Sequence, residues 1–258
     1  MTPNNSSWDY FRNDTHYSDV LKDRLVDGVE MDSAKAMANY IDQHFSGDLR
    51  ILDFGGGPGH YYPVIKRQYS HGSLHYTSID IDASNVKFGQ AHFQSDSNIT
   101  LQVGSVLDPQ DSYTGQNCIV SANTIPHVPS VAPLFRFLSS PMAEGVCCFI
   151  FRMLIGAECV QIKKHLSADD FNEMFERNFQ FNNIYSMEYL RHLLGPGWQI
   201  TDEADIFDVE RLGQHHLPAQ DNDPFYGNRV SRPVGSMVFK GDIYMPWKFV
   251  IGRRTVST

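Results

Sequence analysis

No stretch of the sequence approaches the ~18 uninterrupted apolar residues of a spanning helix, so no membrane partner is expected. Met1 to Ser7 carry no Lys or Arg and no apolar run follows them, so no secretory leader is expected at this end. Positive charge is scarce: 21 Lys and Arg stand against 30 Asp and Glu, a net charge of −9. Nucleic-acid binders gain affinity by exchanging counterions for basic side chains, so no nucleic-acid partner is expected. Cysteine is sparse too. Cys118, Cys147, Cys148 and Cys159 never fall in the Cys-x-x-Cys spacing of a zinc site. They read as small buried hydrophobes in a reducing compartment, and the expected setting is cytoplasmic. Internal repeats and low-complexity tracts are lacking as well.

What is present suits a packed core: 41% hydrophobic and 20% charged residues. A chain of 258 residues fits one α/β domain spanning 1–258, with residues 1–48 as a helical cap. Ser33 is placed to cap a helix whose apolar positions Ala34, Met37, Ala38, Ile41 and Phe45 recur at three- and four-residue steps. Short apolar runs then alternate with helical stretches. Strands are expected at Arg50–Phe54, Leu74–Ile81, Ile99–Val103, Asn117–Ala122 and Val146–Arg152. Helices are expected after Tyr61, over Ala83–Phe93 and over Val131–Leu138. Such alternation implies right-handed crossovers and a mostly parallel sheet.

The last hundred residues change character. Lys163 to His165 are expected on a solvated helix face and Phe171 to Phe181 in a helix. Ser186 should cap a helix that Gly195-Pro196-Gly197 ends. Trp198–Val209 and Lys248–Arg253 read as the final strands. Residues 212–244 between them are loop-like and too long for a hairpin connection, so an insertion or lid is expected there. The fold expected is a doubly wound, seven-stranded, mostly parallel sheet, its last pair antiparallel, with helices on both faces.

The strongest local signal is Asp53-Phe54-Gly55-Gly56-Gly57-Pro58-Gly59-His60. A buried strand delivers the chain to a turn where Gly55, Gly57 and Gly59 permit positive φ and close approach of a ligand to the backbone. The dinucleotide form, Gly-x-Gly-x-x-Gly, needs a small third residue on the helix, and His60 stands there instead. That argues against a nicotinamide-dependent oxidoreductase. The pattern, an acid, any residue, then Gly-x-Gly-x-Gly, resembles the first motif of class I S-adenosylmethionine (SAM)-dependent methyltransferases. Motif order extends the resemblance over about residues 50–152.

The resemblance implies SAM as cofactor, with Asp53, Gly55, Gly56, Gly57 and Gly59 beside its amino-acid end. An acid there suits the ammonium of SAM and would repel a pyrophosphate. It implies further that Asp80, at the end of the second strand, accepts hydrogen bonds from the ribose hydroxyls, while Asp82 more naturally caps the next helix. Ile81, Ser105, Val106 and Ser121 follow as further cofactor contacts. Ser105 departs from the acid that related enzymes often carry near the adenine amino group.

The loop Ser121-Ala122-Asn123-Thr124-Ile125-Pro126-His127 would face the methyl group. It lacks the Pro-Pro-aromatic motif of methyltransferases that act on the amines of bases. The expected reaction is methyl transfer to an oxygen, less readily a nitrogen, of a small polar molecule, with His127 as general base. Arg152, Tyr226 and Arg229 are the substrate-binding candidates. Arg232 and Phe225 are further lid residues, and His215 and His216 more remote bases. No metal is expected, because adjacent histidines on a loop rarely share one ion. A domain that keeps the cofactor pocket but acts as a binding or regulatory partner is the alternative to an enzyme.

Overall fold

A computed structural model describes residues 15–108, 115–165, 179–203, 231–234, 237–240, 243–244 and 247–255. Two helices open it, α1 (Thr15–Asp27) and α2 (Asp32–His44). The stripe Ala34, Met37, Ala38 and Ile41 of α2 is buried, as its spacing requires. Ser33 does not cap this helix. Met31 holds the N-cap position with no side-chain hydrogen bond, and the buried Ser33 hydroxyl pairs with Tyr61 Oη at 2.7 Å. The helix starts two residues earlier, which turns Ser33 inward, where a hydroxyl needs a partner.

The alternating elements follow: β1 (Leu49–Phe54), α3 (Tyr62–Gln68), β2 (Leu74–Asp80), α4 (Ala83–His92), β3 (Ile99–Val103), β4 (Cys118–Ala122), α5 (Ala132–Leu138) and β5 (Cys148–Gly156). Pro63 lies in the first turn of α3, where its missing N–H leaves nothing unpaired. Asp82 caps α4 by accepting from Ser84 N at 2.8 Å. A hairpin of β6 (Val160–His165) and β7 (Phe179–Ser186) comes next, then α6 (Met187–Leu194), capped by Ser186, and β8 (Trp198–Glu203). The chain ends in β9 (Ser231–Val234), β10 (Met237–Lys240), β11 (Ile243–Tyr244) and β12 (Trp247–Arg254).

Seven strands form a continuous path, β3-β2-β1-β4-β5-β12-β8. β1 to β5 pair in parallel, and β12 runs antiparallel to both β5 and β8. Period-two alternation sorts the strand side chains between two cores. Leu49, Ile51, Cys118, Val120, Cys148 and Ile150 pack with α2, α3 and α4. Leu52, Phe54, Ile119, Phe149, Phe151 and Met153 pack with α5 and α6 on the other face.

Two strands join this path beyond the seven expected. β7 pairs in parallel with Leu154–Gly156 of β5, above the point where β4 ends, and β6 pairs with β7. Lys163 to His165 therefore belong to a strand and not to a helix face, and Phe179 to Phe181 are strand as well. β5 runs four residues past Arg152, and its apolar continuation Met153-Leu154-Ile155 supports the added strand. The loop expected over 212–244 contains a separate antiparallel sheet, β11-β10-β9. Cys118 and Cys148 are buried neighbours on β4 and β5, whereas Cys147, just before β5, and Cys159, in the β5–β6 turn, are exposed. Among the described residues, no helix is long and apolar enough to cross a membrane.

Glycine in the middle of β12 has a packing cause. A Cβ on Gly252 would overlap the ring of its register partner Phe149. That ring stacks on Phe151 at 4.5 Å and leans on Trp198 at 5.2 Å, so it has no room to retreat. Gly252→Ala should lower stability by roughly 1–3 kcal/mol, as overpacked cores do. Thermal melting measures the loss, and ligand affinity should be unchanged in the folded fraction.

Candidate active site

Strand order reverses between β1 and β4: from β1 the chain winds outward through β2 and β3, from β4 through β5. Open α/β sheets bind ligands at the carboxyl edge of this switch point, where the connections diverge. A concave cleft opens there, about 890 Å³ with its open mouth included. Gly55, Asp80, Ile81 and Gly104–Val106 line one part of it. Ala122–Thr124, His127 and Val128 line another, and Leu21, Met31, His60 and Asn85 complete the wall.

The β1 turn is shaped by what occupies the space of absent side chains. A Cβ on Gly55 would overlap Thr124, whose hydroxyl donates to Gly55 O at 3.3 Å and ties the β4 exit to the turn. A Cβ on Gly56 would overlap Asp53 Oδ2 and Ser78 Oγ beneath the turn. Gly57 has φ +57°, and its N–H donates to Asp80 Oδ2 at 2.8 Å. The turn and the end of β2 are thereby joined.

Of the cofactor residues expected from sequence, Gly55, Asp80, Ile81, Ser105 and Val106 reach the cleft wall. Asp53, Gly56, Gly57, Gly59 and Ser121 stand behind it. Asp53 shares the inward face of Ile51, is fully buried, and accepts from Tyr76 Oη at 2.5 Å. Burial pushes its carboxyl up to about 7; the Tyr76 hydrogen bond opposes the shift and the Asp80 charge adds to it. Ser121 is likewise buried and donates to Phe54 O at 2.8 Å, a link between β4 and β1. Asp80 accepts from Gly57 N and Asp82 N, both at 2.8 Å. Its enclosure raises its pKa to about 6 against those backbone bonds, so it is ionised at neutral pH. Ser105 Oγ accepts from Leu107 N at 3.1 Å, a local turn bond.

The β4 exit supplies the other wall. Asn123, at φ +63°, is the non-glycine residue with positive φ among the described residues. Its side chain accepts from Nη1 of the buried Arg152, and the Arg152 guanidinium lies 4.3 Å from the Trp247 ring centroid. Arg152 thus supports the loop through Asn123 and is not among the residues that line the cleft. β4 ends opposite it, so its side chain turns under the loop. His127 does line the cleft. Its Nδ1 lies 2.8 Å from Phe181 O on β7. A carbonyl only accepts, so Nδ1 carries the hydrogen and Nε2 the lone pair. Tyr226, Arg229, His215, His216 and Phe225 lie outside the described residues.

Sequence reasoning placed the loop of Asn123 and Thr124 at the site without giving either residue a role, and it missed Asn85, Leu21 and Met31. Asn123 alone offered a signal, as an asparagine just past a strand end, where left-handed backbone is tolerated. Leu21 and Met31 lie in the amino-terminal elements and reach the cleft only by packing across the turn.

A family model described as a methyltransferase domain matches residues 26–196. The chain belongs to this methyltransferase family. It is a SAM-dependent methyltransferase of the class I, Rossmann-like fold, not a nicotinamide oxidoreductase. No curated protein matches the chain. Solved structures resemble the methyltransferase in fold. Magnesium protoporphyrin IX methyltransferase from Synechocystis, with bound SAM, is 12% identical over 99% of this chain and 100% of its own, at a TM-score of 0.54. A SAM-dependent methyltransferase from Mesorhizobium loti is 17% identical over 86% and 98%, at 0.52. The geranyl diphosphate C-methyltransferase from Streptomyces coelicolor is 16% identical over 86% and 77%, at 0.51.

The cleft is compatible with SAM. A carboxylate has about four lone-pair positions, and the two side-chain hydrogen bonds on Asp80 leave acceptor capacity for ribose hydroxyls. Ile81 and Val106 give apolar surface on the same wall. Gly57→Val should abolish SAM binding while leaving a folded protein. A β-branched residue cannot hold φ +57° without strain, and its Cβ would start 3.1 Å from Leu21 Cδ1. Calorimetry with SAM on a variant of native circular dichroism checks this; unchanged affinity contradicts it.

Proposed function

We propose that this methyltransferase transfers the methyl group of SAM to an oxygen, less readily a nitrogen, of a small polar molecule, with His127 as the general base. The observation that carries the reading is the tautomer at His127. Phe181 O accepts the Nδ1 hydrogen at 2.8 Å and so orients the ring of a histidine that lines the cleft at the β4 exit. A base able to take one proton suits a hydroxyl nucleophile, which gains strength as its proton departs.

When bound, SAM supplies a methyl carbon already activated by sulfonium. The protein's part is alignment and proton transfer. Asp80 would hold the ribose hydroxyls, with Ile81 and Val106 beside the adenine and Gly55 to Gly59 offering backbone to the amino-acid end. Asp53 would act through the turn: ionised, it places negative charge beneath the amino-acid end, near an ammonium. The acceptor hydroxyl would lose its proton to Nε2 of His127 as its oxygen gains the methyl. Residues 212–244 would cover the acceptor end. The connection begins after β8, which runs parallel to β5 and so ends at the carboxyl edge.

His127→Ala should lower kcat by roughly 10²–10⁴-fold and leave SAM affinity unchanged. The measurement uses isotopically labelled SAM with a metabolite extract, followed by mass spectrometry of the product. Undiminished turnover, or a product methylated at carbon, contradicts the reading. Ribose recognition by Asp80 requires the ionised carboxylate, so affinity for S-adenosylhomocysteine should be level above pH 7. It should fall by up to about tenfold per pH unit below pH 6, as Asp80 takes up its proton. Asp80→Asn should remove that step. A fall beginning near pH 7 that survives the substitution places the titration in Asp53 instead.

A further inference from the structure

His60 lines the β1 end of the cleft, and Arg24 approaches it through Met31 without an ion pair among the described residues. Helix α1 lies across the glycine turn: Leu21 Cδ1 sits 3.1 Å from where a Cβ of Gly57 would stand, and Leu21 and Met31 line the cleft. One helical turn after Leu21, Arg24 is half-buried and places Nη1 3.4 Å from Met31 Sδ, a weak acceptor. Among the described residues no carboxylate pairs with it, although Lys22, Lys35, Arg50, Lys66 and Arg67 each have one. A half-buried guanidinium without an anion is uncommon, because partial desolvation is offset only by a partner.

His60 faces the same space. It follows the turn, lines the cleft, and has a buried Nδ1 with no hydrogen-bond partner. Burial, with the Arg24 charge adding to it and a backbone hydrogen bond at Gly56 opposing, lowers its pKa to about 4, so it is a neutral imidazole at physiological pH. The Arg24 charge is therefore felt at the cleft wall. Asp80, at the end of β2, marks the ribose position in the proposed reading, and Ile81 and Val106 the adenine side. The amino-acid end of the cofactor then falls toward β1, under α1.

We propose that Arg24 and His60 together receive the α-carboxylate of SAM, making helix α1 a structural part of the cofactor site. The inference rests on the orientation of SAM in the proposed function, with ribose at Asp80. Arg24 supplies the charge and His60 a neutral hydrogen-bonding group beside it. The acidic ground under the turn, Asp53, then lies nearer the ammonium, so the two ends of the zwitterion meet opposite charges.

The test compares two ligands that differ in the amino-acid tail: S-adenosylhomocysteine, which has it, and 5′-methylthioadenosine, which lacks it. In Arg24→Gln, affinity for S-adenosylhomocysteine should fall at least about tenfold, the scale of losing a charge-assisted hydrogen bond, with 5′-methylthioadenosine bound as before. Arg24→Lys should restore part of the loss. His60→Asn should give a smaller loss, again confined to the ligand with the tail. Melting temperatures without ligand verify that the variants are folded. Equal affinity of Arg24→Gln and the parent for S-adenosylhomocysteine, or equal losses for both ligands, overturns the proposal. Failure of the parent to bind either ligand would instead overturn the cofactor orientation itself, and a loss of both ligands in Asp80→Asn with Arg24 silent separates the two.

Discussion

The turn after β1 runs through space that has no room for side chains, and the site is assembled around that constraint. Thr124 occupies the place of a Gly55 Cβ, and Asp53 with Ser78 the place of a Gly56 Cβ. Because these contacts are backbone against side chain, the turn can neither rise nor sink without parting from β4 above or from the buried carboxyl below. Helix α4 closes from the side: a Cβ on Gly89 would meet Pro58 O at 2.5 Å. The conformation of five residues is thus set from three directions, which is what preorganises backbone for a ligand.

The buried carboxyl carries a second consequence. Asp53 and Asp80 sit on adjacent strands, and burial raises both, to about 7 and about 6; the Asp80 charge adds to the shift at Asp53, and the Asp82 charge to that at Asp80. Tyr76 holds Asp53 from one side and backbone N–H groups hold Asp80 from the other. Such a pair favours a positively charged ligand. SAM is a sulfonium with an ammonium, and a pyrophosphate would meet the opposite field. The charge logic of the turn and the family assignment therefore agree without either depending on the other.

Behind the acceptor wall, support comes from the sheet extension. β5 outlasts β4, and β7 takes up the vacated edge at Leu154–Gly156. That geometry brings Phe181 O to His127 and fixes its tautomer, while Arg152 and Trp247 hold Asn123 in left-handed backbone. Strained backbone persists where surrounding contacts overdetermine it. The β4 exit is thus positioned by residues that are not among those lining the cleft.

Local patterns determined much of this unaided. The strand–glycine–helix signal, the stripe of α2, the caps at Asp82 and Ser186 and the order of five parallel strands depend on neighbours in sequence, where periodicity and turn chemistry speak directly. The sides taken by Asp53, Ser121 and Arg152 were not legible, because period two places a residue on a face but does not say what covers that face. Ser33 and the β6–β7 hairpin were misread for a related reason: a hydroxyl suits a cap or a buried partner equally, and short polar strands form only where a sheet edge waits for them. Tertiary packing alone brought Leu21, Met31, Arg24 and His60 to one end of the cleft. Segments distant in the chain met there because helix α1 rests on α4, through Ser18 and Asn85, and lays Leu21 beside the turn whose side chains are missing.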